Sequence, residues 1–296
     1  MSKLNKLLVI VGPTASGKTD LSIKLAKRFN GEIISADSRQ VYKGMDIGTG
    51  KVTKKEMAGI PHHLLDVARP QAKFDVVKYR KKALRAIKDI QKRKKLPILI
   101  GGTGFYIQAV VDGIVLPRVK PNWKLRKELE KKSNSELFQQ LKKIDPNRAK
   151  SIDKDNPRRL IRAIEIALIT KKPVPELKKS PIDSEVLVLG VKKNKKEIEK
   201  LIKKRLLKRL KIGMIAEVKK LHTSGLSWKR LEEFGLEYRY IAQFLQKKIT
   251  RKEMIERIQK ESEHYAKRQM TWWKKDKRIH WIKTPKEAQS LIEEEF

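Results

Sequence analysis

A glycine-rich segment near the start of the chain carries the clearest chemical signal. Residues 12–19 read Gly-Pro-Thr-Ala-Ser-Gly-Lys-Thr, which is the spacing of a phosphate-binding loop. Glycines let the backbone approach phosphate oxygens, and loop amides at a helix N-terminus attract anions, while Lys18 adds a positive charge. The sequence therefore predicts a site for a di- or triphosphate, without deciding which bond is broken there. The predicted diphosphate-binding residues are Gly12, Pro13, Thr14, Ala15, Ser16, Gly17, Lys18 and Thr19, and the predicted magnesium ligand is Thr19.

A second polar group follows the next aliphatic segment. Residues 37–40, Asp-Ser-Arg-Gln, come directly after a predicted strand at 32–36. Asp37 has three candidate roles: a ligand of magnesium, an acceptor of a proton from a nucleophile, or a cap that only stabilises the local backbone. A Walker B acid usually ends a longer hydrophobic run than this one. The proton-handling or hydrogen-bonding role is therefore favoured.

Alternating strands and helices must position these groups. Aliphatic runs predict strands, and apolar residues at helical spacing predict helices between them. This alternation predicts an α/β fold with a parallel, doubly wound sheet, whose ligand site lies beyond the carboxyl ends of the strands. The predicted strands are 7–11, 32–36, 97–100, 186–191 and 278–282, and the predicted helices include 18–29, 74–93, one around 198–210, a helical pair over 228–273 and a short C-terminal helix.

The strand signal disappears between about residues 120 and 181. Helical segments such as 125–141 and 158–169 replace it, separated by breaks that contain proline. This pattern predicts a helical insertion into the α/β core. We expect the core to comprise residues 1–119 and 186–296, and the insertion to comprise residues 120–185.

Composition limits the class of partner. The chain has 296 residues and a formal net charge of +38, which indicates a polyanionic partner, most simply a nucleic acid, with a membrane surface as the weaker option. Absence of cysteine excludes disulfides, thiolate nucleophiles and cysteine-based zinc sites. No apolar run approaches the roughly 20 residues of a membrane span. We therefore expect a cytosolic protein that does not enter a membrane.

The ordered motifs of the chain resemble those of the tRNA dimethylallyltransferases. The resemblance covers nearly the whole chain, and its ordered set is far more specific than the phosphate loop alone. The matching segments are residues 12–19, Asp-Ser-Arg-Gln-Val-Tyr at 37–42, Gly-Met-Asp-Ile-Gly-Thr at 44–49, Pro-His-His-Leu-Leu-Asp at 61–66, Gly-Gly-Thr-Gly-Phe-Tyr at 101–106, Asn-Pro-Arg-Arg-Leu at 156–160 and Ala-Lys-Arg-Gln-Met-Thr-Trp at 266–272.

This resemblance implies a fold and an activity. It implies a P-loop NTPase-like sheet flanked by helices, with an all-helical insertion that grips tRNA. The implied reaction transfers a dimethylallyl group from dimethylallyl diphosphate to N6 of the adenosine on the 3′ side of the anticodon, with magnesium as cofactor. The implied partner is the anticodon stem-loop, and a monomer is expected. Because the zinc finger of eukaryotic relatives is missing, the chain resembles the bacterial form.

The resemblance also assigns roles to residues. Asp37 would hydrogen-bond the adenine amine and accept its proton, Arg205 would clamp the pyrophosphate, and Thr103 would approach the reacting centre, so these three are the candidate catalytic residues. The candidate tRNA-binding residues are Asp37, Ser38, Arg39, Gln40, Thr103, Arg126, Arg158, Arg159, Leu160, Ile161, Arg162, Tyr238 and Arg239.

Two features limit this transfer of roles. Glu237 stands where glycine is usual in the family, which weakens the expected RNA contacts of Tyr238 and Arg239. His62 and His63 are adjacent rather than at metal-ligand spacing, so we interpret them as structural or pocket-lining. Two alternatives stay open from the residues: a phosphate-loop kinase or ATPase that acts on RNA or a small metabolite, and a non-catalytic RNA-binding protein.

Overall fold

The computed structural model describes residues 5–115, 117 and 119–296, without the side chain of residue 115. Its strands are β1 (Lys6–Val11), β2 (Gly31–Ser35), β3 (His62–His63), β4 (Leu96–Ile100), β5 (Ile114–Val115), β6 (Lys178–Lys179), β7 (Glu185–Val191) and β8 (Ile279–Ile282). Its helices are α1 (Lys18–Arg28), α2 (Lys54–Met57), α3 (Val76–Lys92), α4 (Gly104–Val111), α5 (Trp123–Leu129), α6 (Asn134–Ile144), α7 (Pro146–Ser151), α8 (Pro157–Thr170), α9 (Lys195–Lys211), α10 (Met214–Thr223), α11 (Trp228–Phe234), α12 (Leu236–Leu245), α13 (Arg251–Trp273) and α14 (Pro285–Glu295).

A six-stranded sheet organises the larger part of the chain. The strand order is β3-β2-β4-β1-β7-β8, and every pairing is parallel. Val9 of the central strand β1 is in register with Leu99 on one side and Val188 on the other. This arrangement confirms the predicted α/β fold with a parallel sheet.

Helices cover both faces of this sheet, which explains why β1 is continuously aliphatic. Leu7, Val9 and Val11 pack on one face with residues of α3 and α4. Leu8 and Ile10 point to the opposite face and pack with residues of α1 and α14. Because successive side chains of a strand alternate between faces, a strand covered on both sides needs apolar residues at every position.

The chain divides into two compact units. One comprises residues 1–112 and 181–296, and the other comprises Gly113–Ser180. The boundaries therefore differ from the expected 120–185, because residues 113–119 belong to the smaller unit and 181–185 to the larger one. In the smaller unit, Leu129, Leu137, Leu141 and Leu160 share a hydrophobic core between its helices.

Three details of the predicted elements are wrong. The smaller unit is not all helical, because β5 and β6 pair antiparallel within it. The expected helix at 125–141 is two helices, since Ser133 forms a capping box that starts α6. The expected helical pair over 228–273 is three helices, because Gly235, with φ 76°, separates α11 from α12. None of the helices in the described part of the chain has the length and apolar character needed to span a bilayer.

Candidate active site

Three loops meet at the carboxyl edge of adjacent strands. They follow β1, β2 and β4 and contain residues 12–17, 36–40 and 101–103, respectively. Backbone hydrogen bonds join the loops after β2 and β4: Ala36 N donates to Ile100 O (2.6 Å), and Thr103 N donates to Ala36 O (3.2 Å). The parallel sheet therefore brings together three motifs that are far apart in the sequence.

The first loop has the backbone of a phosphate cradle. Gly12 has φ 142°, and a Cβ at this position would lie 2.8 Å from the Val191 carbonyl oxygen of the neighbouring strand. Gly17 has φ 88° and is the N-cap of α1, so the loop turns directly into a helix N-terminus. Lys18 Nζ folds back and donates to Pro13 O (2.5 Å). The loop thus supplies an amide-rich concavity with an ammonium group against it.

Two cations crowd this concavity. Arg205, which reaches the loop from α9, donates from Nη2 to Thr14 Oγ1. The pKa of Lys18 is lowered to about 7, mainly by burial and secondly by the nearby charge of Arg205. The pKa of Arg205 is lowered to about 10, mainly by burial and secondly by the charge of Arg209. Among the described residues, neither cation forms an ion pair with a carboxylate. A bound anion would remove this unfavourable pairing of like charges.

Asp37 lies within electrostatic reach of both cations, because its charge raises the pKa of Lys18 and of Arg205. Its Oδ1 accepts hydrogen bonds from Arg39 N (2.7 Å) and Gln40 N (3.2 Å), so the carboxylate does cap the local turn. Within the described residues, Oδ2 takes part in no hydrogen bond. One oxygen therefore shapes the loop while the second can contact a ligand.

Thr103 lies beside this acid. Its Oγ1 accepts a hydrogen bond from Ser38 N at 3.1 Å, which ties the loop after β4 to the Asp37 turn. The Thr103 hydroxyl, expected to approach the reacting centre, thus contacts the backbone one residue after Asp37. The geometry is that of an anion cradle with an acid and a hydroxyl at its side.

Comparison with known proteins identifies the family. Residues 40–276 match the family model described as IPP transferase. The chain is 40% identical over 287 residues to the tRNA dimethylallyltransferase of Acetivibrio thermocellus, covering 94% of this chain and 92% of that protein. It is 42% identical over 299 residues to the tRNA dimethylallyltransferase of Carboxydothermus hydrogenoformans, covering 98% and 96%. The chain belongs to the IPP transferase family.

Solved structures agree with this IPP transferase assignment. The full-length tRNA isopentenylpyrophosphate transferase of Bacillus halodurans superposes with a TM-score of 0.75 and 36% identity, covering 98% of this chain and 96% of that one. A eukaryotic dimethylallyltransferase acting on tRNA superposes with a TM-score of 0.77 and 30% identity, covering 91% and 70%. The chain is thus an enzyme that transfers a dimethylallyl group to tRNA, and the comparisons do not favour the kinase, ATPase or purely RNA-binding alternatives.

Part of the tRNA-contact set expected of this IPP transferase makes contacts within the protein. Arg39 Nε donates to Phe234 O (2.8 Å), and the Gln40 side chain accepts a hydrogen bond from Ser35 Oγ (3.1 Å). These side chains connect the Asp37 turn to its surroundings. Ser38 is partly exposed at the same turn.

Tyr238 belongs to the core and not to an RNA surface. It is 2% exposed, and its hydroxyl donates to Glu217 (2.7 Å), whose carboxylate also accepts from the backbone amides of residues 46–48. This burial overturns the expected side-chain contact with tRNA. Arg239 donates from Nε to Glu232 O (3.2 Å) and is partly exposed.

Glu237 has a partner on α9. Its Oε1 lies 3.2 Å from Arg209 Nη1, which also donates to Gly48 O at 3.2 Å. Both side chains are largely buried. Arg209 is one helical turn after Arg205, so Glu237 supplies a counter-charge one turn away from the phosphate cradle.

Within the smaller unit, the predicted arginines fall into two groups. Arg126 and Arg162 both bind the fully buried carboxylate of Glu165, which indicates a role in holding the unit together. Arg158 and Arg159 are exposed at the start of α8. The expected tRNA contacts of Leu160 and Ile161 are wrong for their side chains, because both side chains lie in the hydrophobic core of this unit.

Each of the adjacent histidines, interpreted from their spacing as structural or pocket-lining, has a hydrogen-bond partner within the protein. His63 Nε2 lies 2.8 Å from Glu32 Oε2, and His62 Nδ1 lies 2.8 Å from Ile60 O. Glu32 also binds Arg93 and Lys95, which lowers the pKa of this carboxyl well below its usual range. The described residues include no cluster of three His, Asp or Glu residues suited to a metal.

Proposed function

We propose that this enzyme transfers the dimethylallyl group of dimethylallyl diphosphate to N6 of the adenosine on the 3′ side of a tRNA anticodon. The observation that carries the proposal is the pair of cations at the phosphate cradle, Lys18 and Arg205, with Asp37 beside them. The cations suit a diphosphate leaving group, and the acid suits a nucleophile that must lose a proton.

The cations act where negative charge develops. Breaking the allylic carbon–oxygen bond leaves a delocalised carbocation and a diphosphate whose negative charge grows in the transition state. Lys18 turns from the Pro13 carbonyl to the diphosphate, while Arg205 reaches the same anion beside Thr14. Positive groups that already lie at the cradle when the bond breaks stabilise this growing charge and so lower the barrier.

Asp37 prepares the nucleophile. The adenine amine is a weak nucleophile because its lone pair is delocalised into the ring. We assign Oδ2 of Asp37 to hydrogen-bond this amine and to take its proton as the new carbon–nitrogen bond forms. The base must leave its stack to reach the acid, and this is inexpensive in an anticodon loop that is already single stranded.

A magnesium ion at this site would take most of its ligands from the diphosphate substrate and few from the protein. The Thr19 side chain is exposed at the first turn of α1 and offers a hydroxyl ligand. Magnesium commonly takes one or two protein oxygens together with substrate phosphates and water. When bound, it would neutralise charge on the diphosphate, and Thr19 would be its protein ligand.

Exposed arginines of the smaller unit complete the proposal. Arg158 and Arg159 are available to grip phosphates of the anticodon stem-loop, whereas Arg126 and Arg162 mainly support them through Glu165. We place this reaction in the cytoplasm and expect a monomer to carry it out.

The test follows the fate of the label. Purified protein is incubated with magnesium, labelled dimethylallyl diphosphate and unmodified tRNA that has adenosine after its anticodon, and the RNA is digested to nucleosides for mass spectrometry. We expect the labelled dimethylallyl group on one adenosine of the tRNA. We expect neither hydrolysis of dimethylallyl diphosphate by water alone nor hydrolysis of ATP. RNA without label, combined with ATP hydrolysis, would favour the kinase or ATPase alternative.

A further inference from the structure

One face of α13 packs against the loop that follows β4. Tyr265 Oη donates to Gly102 O (3.3 Å), and the Trp272 indole lies so close to Gly104 that a Cβ there would be 2.5 Å from Nε1. Gln269 lies between these two aromatic residues on the helix. The late segment of the chain is therefore built into the site that the three loops form.

Gln269 joins two of these loops through both ends of its amide. Its Oε1 accepts from Thr14 N (2.7 Å), and its Nε2 donates to Gly102 O (2.9 Å). The side chain is 5% exposed, so each of these groups would be costly to leave unpaired. Only a side chain of this length with one acceptor and one donor satisfies both backbone groups.

The glycine at position 102 is explained by the same contact. A Cβ on Gly102 would lie 2.1 Å from Gln269 Nε2. Close approach of the amide to the loop backbone is therefore possible only because this residue lacks a side chain. The glutamine and the glycine form a matched pair.

One of the two bridged loops belongs to the diphosphate cradle, and the other is tied to the turn that contains Asp37. Thr14 belongs to the diphosphate cradle and receives the hydrogen bond of Arg205. Gly102 precedes Thr103, whose hydroxyl holds the backbone of Ser38 next to Asp37. The separation of these loops thus sets the distance between the departing diphosphate and the acid that prepares the nucleophile.

We propose that Gln269 is a positioning residue for the transfer reaction, which holds the leaving-group loop and the acceptor loop at the separation that in-line attack requires. This inference rests on the proposed function of the site. Reactions between two bound groups are sensitive to displacements of about 1 Å, which can cost roughly 100-fold in rate. Binding of the diphosphate itself depends on Lys18 and Arg205 and does not need the bridge.

The test compares three variants with the wild-type enzyme. Gln269→Met keeps the size and loses both hydrogen bonds, and Gln269→Asn keeps both groups but is too short to span the loops. Gln259→Met is the matched control, because Gln259 lies on the same helix and donates to a backbone carbonyl of α9, Glu199 O, at 3.3 Å. It lies ten residues away, roughly 15 Å along the helix.

We expect both Gln269 variants to lower kcat by about 10- to 100-fold. The KM for dimethylallyl diphosphate and the inhibition constant of inorganic pyrophosphate should stay within about threefold of wild type, since the cations are intact. Gln259→Met should keep a kcat close to wild type. Thermal unfolding of all variants shows whether they fold. If Gln269→Met does not fold, the kcat of Gln269→Asn decides the outcome.

Two results would overturn the positioning role. One is a wild-type kcat in the Gln269 variant that folds. The other is a loss of pyrophosphate binding as large as the loss of kcat, because it would show that Gln269 only shapes the cradle. A wild-type enzyme that transfers no label to tRNA would instead contradict the proposed function.

Discussion

The charge state of Lys18 gives the sharpest prediction for this enzyme. The surroundings of this ammonium lower its pKa from 10.5 to about 7 in the free protein. The lowered pKa means that the neutral form dominates above pH 7. A diphosphate favours the charged form, so binding above pH 7 must be accompanied by uptake of a proton.

The expected magnitude follows from this pKa. At pH 8 about one enzyme molecule in eleven carries a charged Lys18, and at pH 9 about one in a hundred. We therefore expect kcat/KM for dimethylallyl diphosphate to be level near pH 6 and to fall about tenfold for each pH unit above 7. Each tenfold step corresponds to about 1.4 kcal/mol of binding free energy used to charge the lysine.

The assay measures kcat/KM at limiting dimethylallyl diphosphate and saturating tRNA from pH 6 to pH 9. Lys18→Arg is the matched variant because a guanidinium stays charged throughout this range. Its kcat/KM should be lower than that of wild type at pH 7 but independent of pH above 7. Ionisation of the substrate is common to both enzymes, so the difference between their profiles reports Lys18.

Calorimetry supplies a second measurement of the same event. Pyrophosphate binding at pH 8, followed in buffers with different ionisation enthalpies, should show uptake of about 0.9 proton in wild type and little in Lys18→Arg. A flat profile for wild type up to pH 9, together with no difference in proton uptake, would refute the crowded-cation interpretation of the cradle.

Three further predictions concern Asp37, the largely buried Glu237 and the exposed arginines. Asp37→Asn keeps the turn acceptor and removes the base, so kcat should fall about 10²- to 10⁴-fold with tRNA affinity within about threefold, and unchanged turnover would contradict the role of Asp37. Glu237→Gln leaves Arg209 buried without its counter-charge and should lower the free energy of unfolding by about 3 kcal/mol. The double variant Arg209→Met with Glu237→Met should recover much of this loss. If the losses measured by denaturant unfolding are additive instead, the two residues are not coupled. The tRNA affinity should fall steeply with salt, and replacing Arg158 and Arg159 by glutamine should reduce the slope of log K against log salt by about one to two, while an unchanged slope would remove them from the RNA surface.

Local sequence patterns predicted much of the fold. The aliphatic run at 7–11, ending at Gly12, identified a strand buried on both faces, and the helix that begins at Lys18 was predicted within one residue of its observed end at Arg28. The information in these cases is local, because burial on two faces and helical amphipathicity both leave a periodic trace in the chain. Strand β3 left no such trace, since its two residues span a single period of the strand alternation and show no repeat.

The candidate site was only partly visible in the same patterns. Phosphate-loop spacing located Lys18, the position after the second predicted strand located Asp37, and the family resemblance located Arg205. Nothing local indicated that Tyr238 faces Glu217, because which side of a helix is buried depends on the neighbours that the fold supplies. A buried tyrosine and one that contacts RNA look alike in sequence.

The sequence by itself determined the class of chemistry: a phosphate cradle, an acid after the second strand, and a chain of +38 charges suited to RNA. Tertiary structure decided which of those charges share the site. It lowered the pKa of Lys18 by burying it near Arg205, and it brought Gln269 between Thr14 and Gly102. The physical reason is that a pKa and a hydrogen bond depend on distance and burial in space, whereas a motif records only the order of residues along the chain.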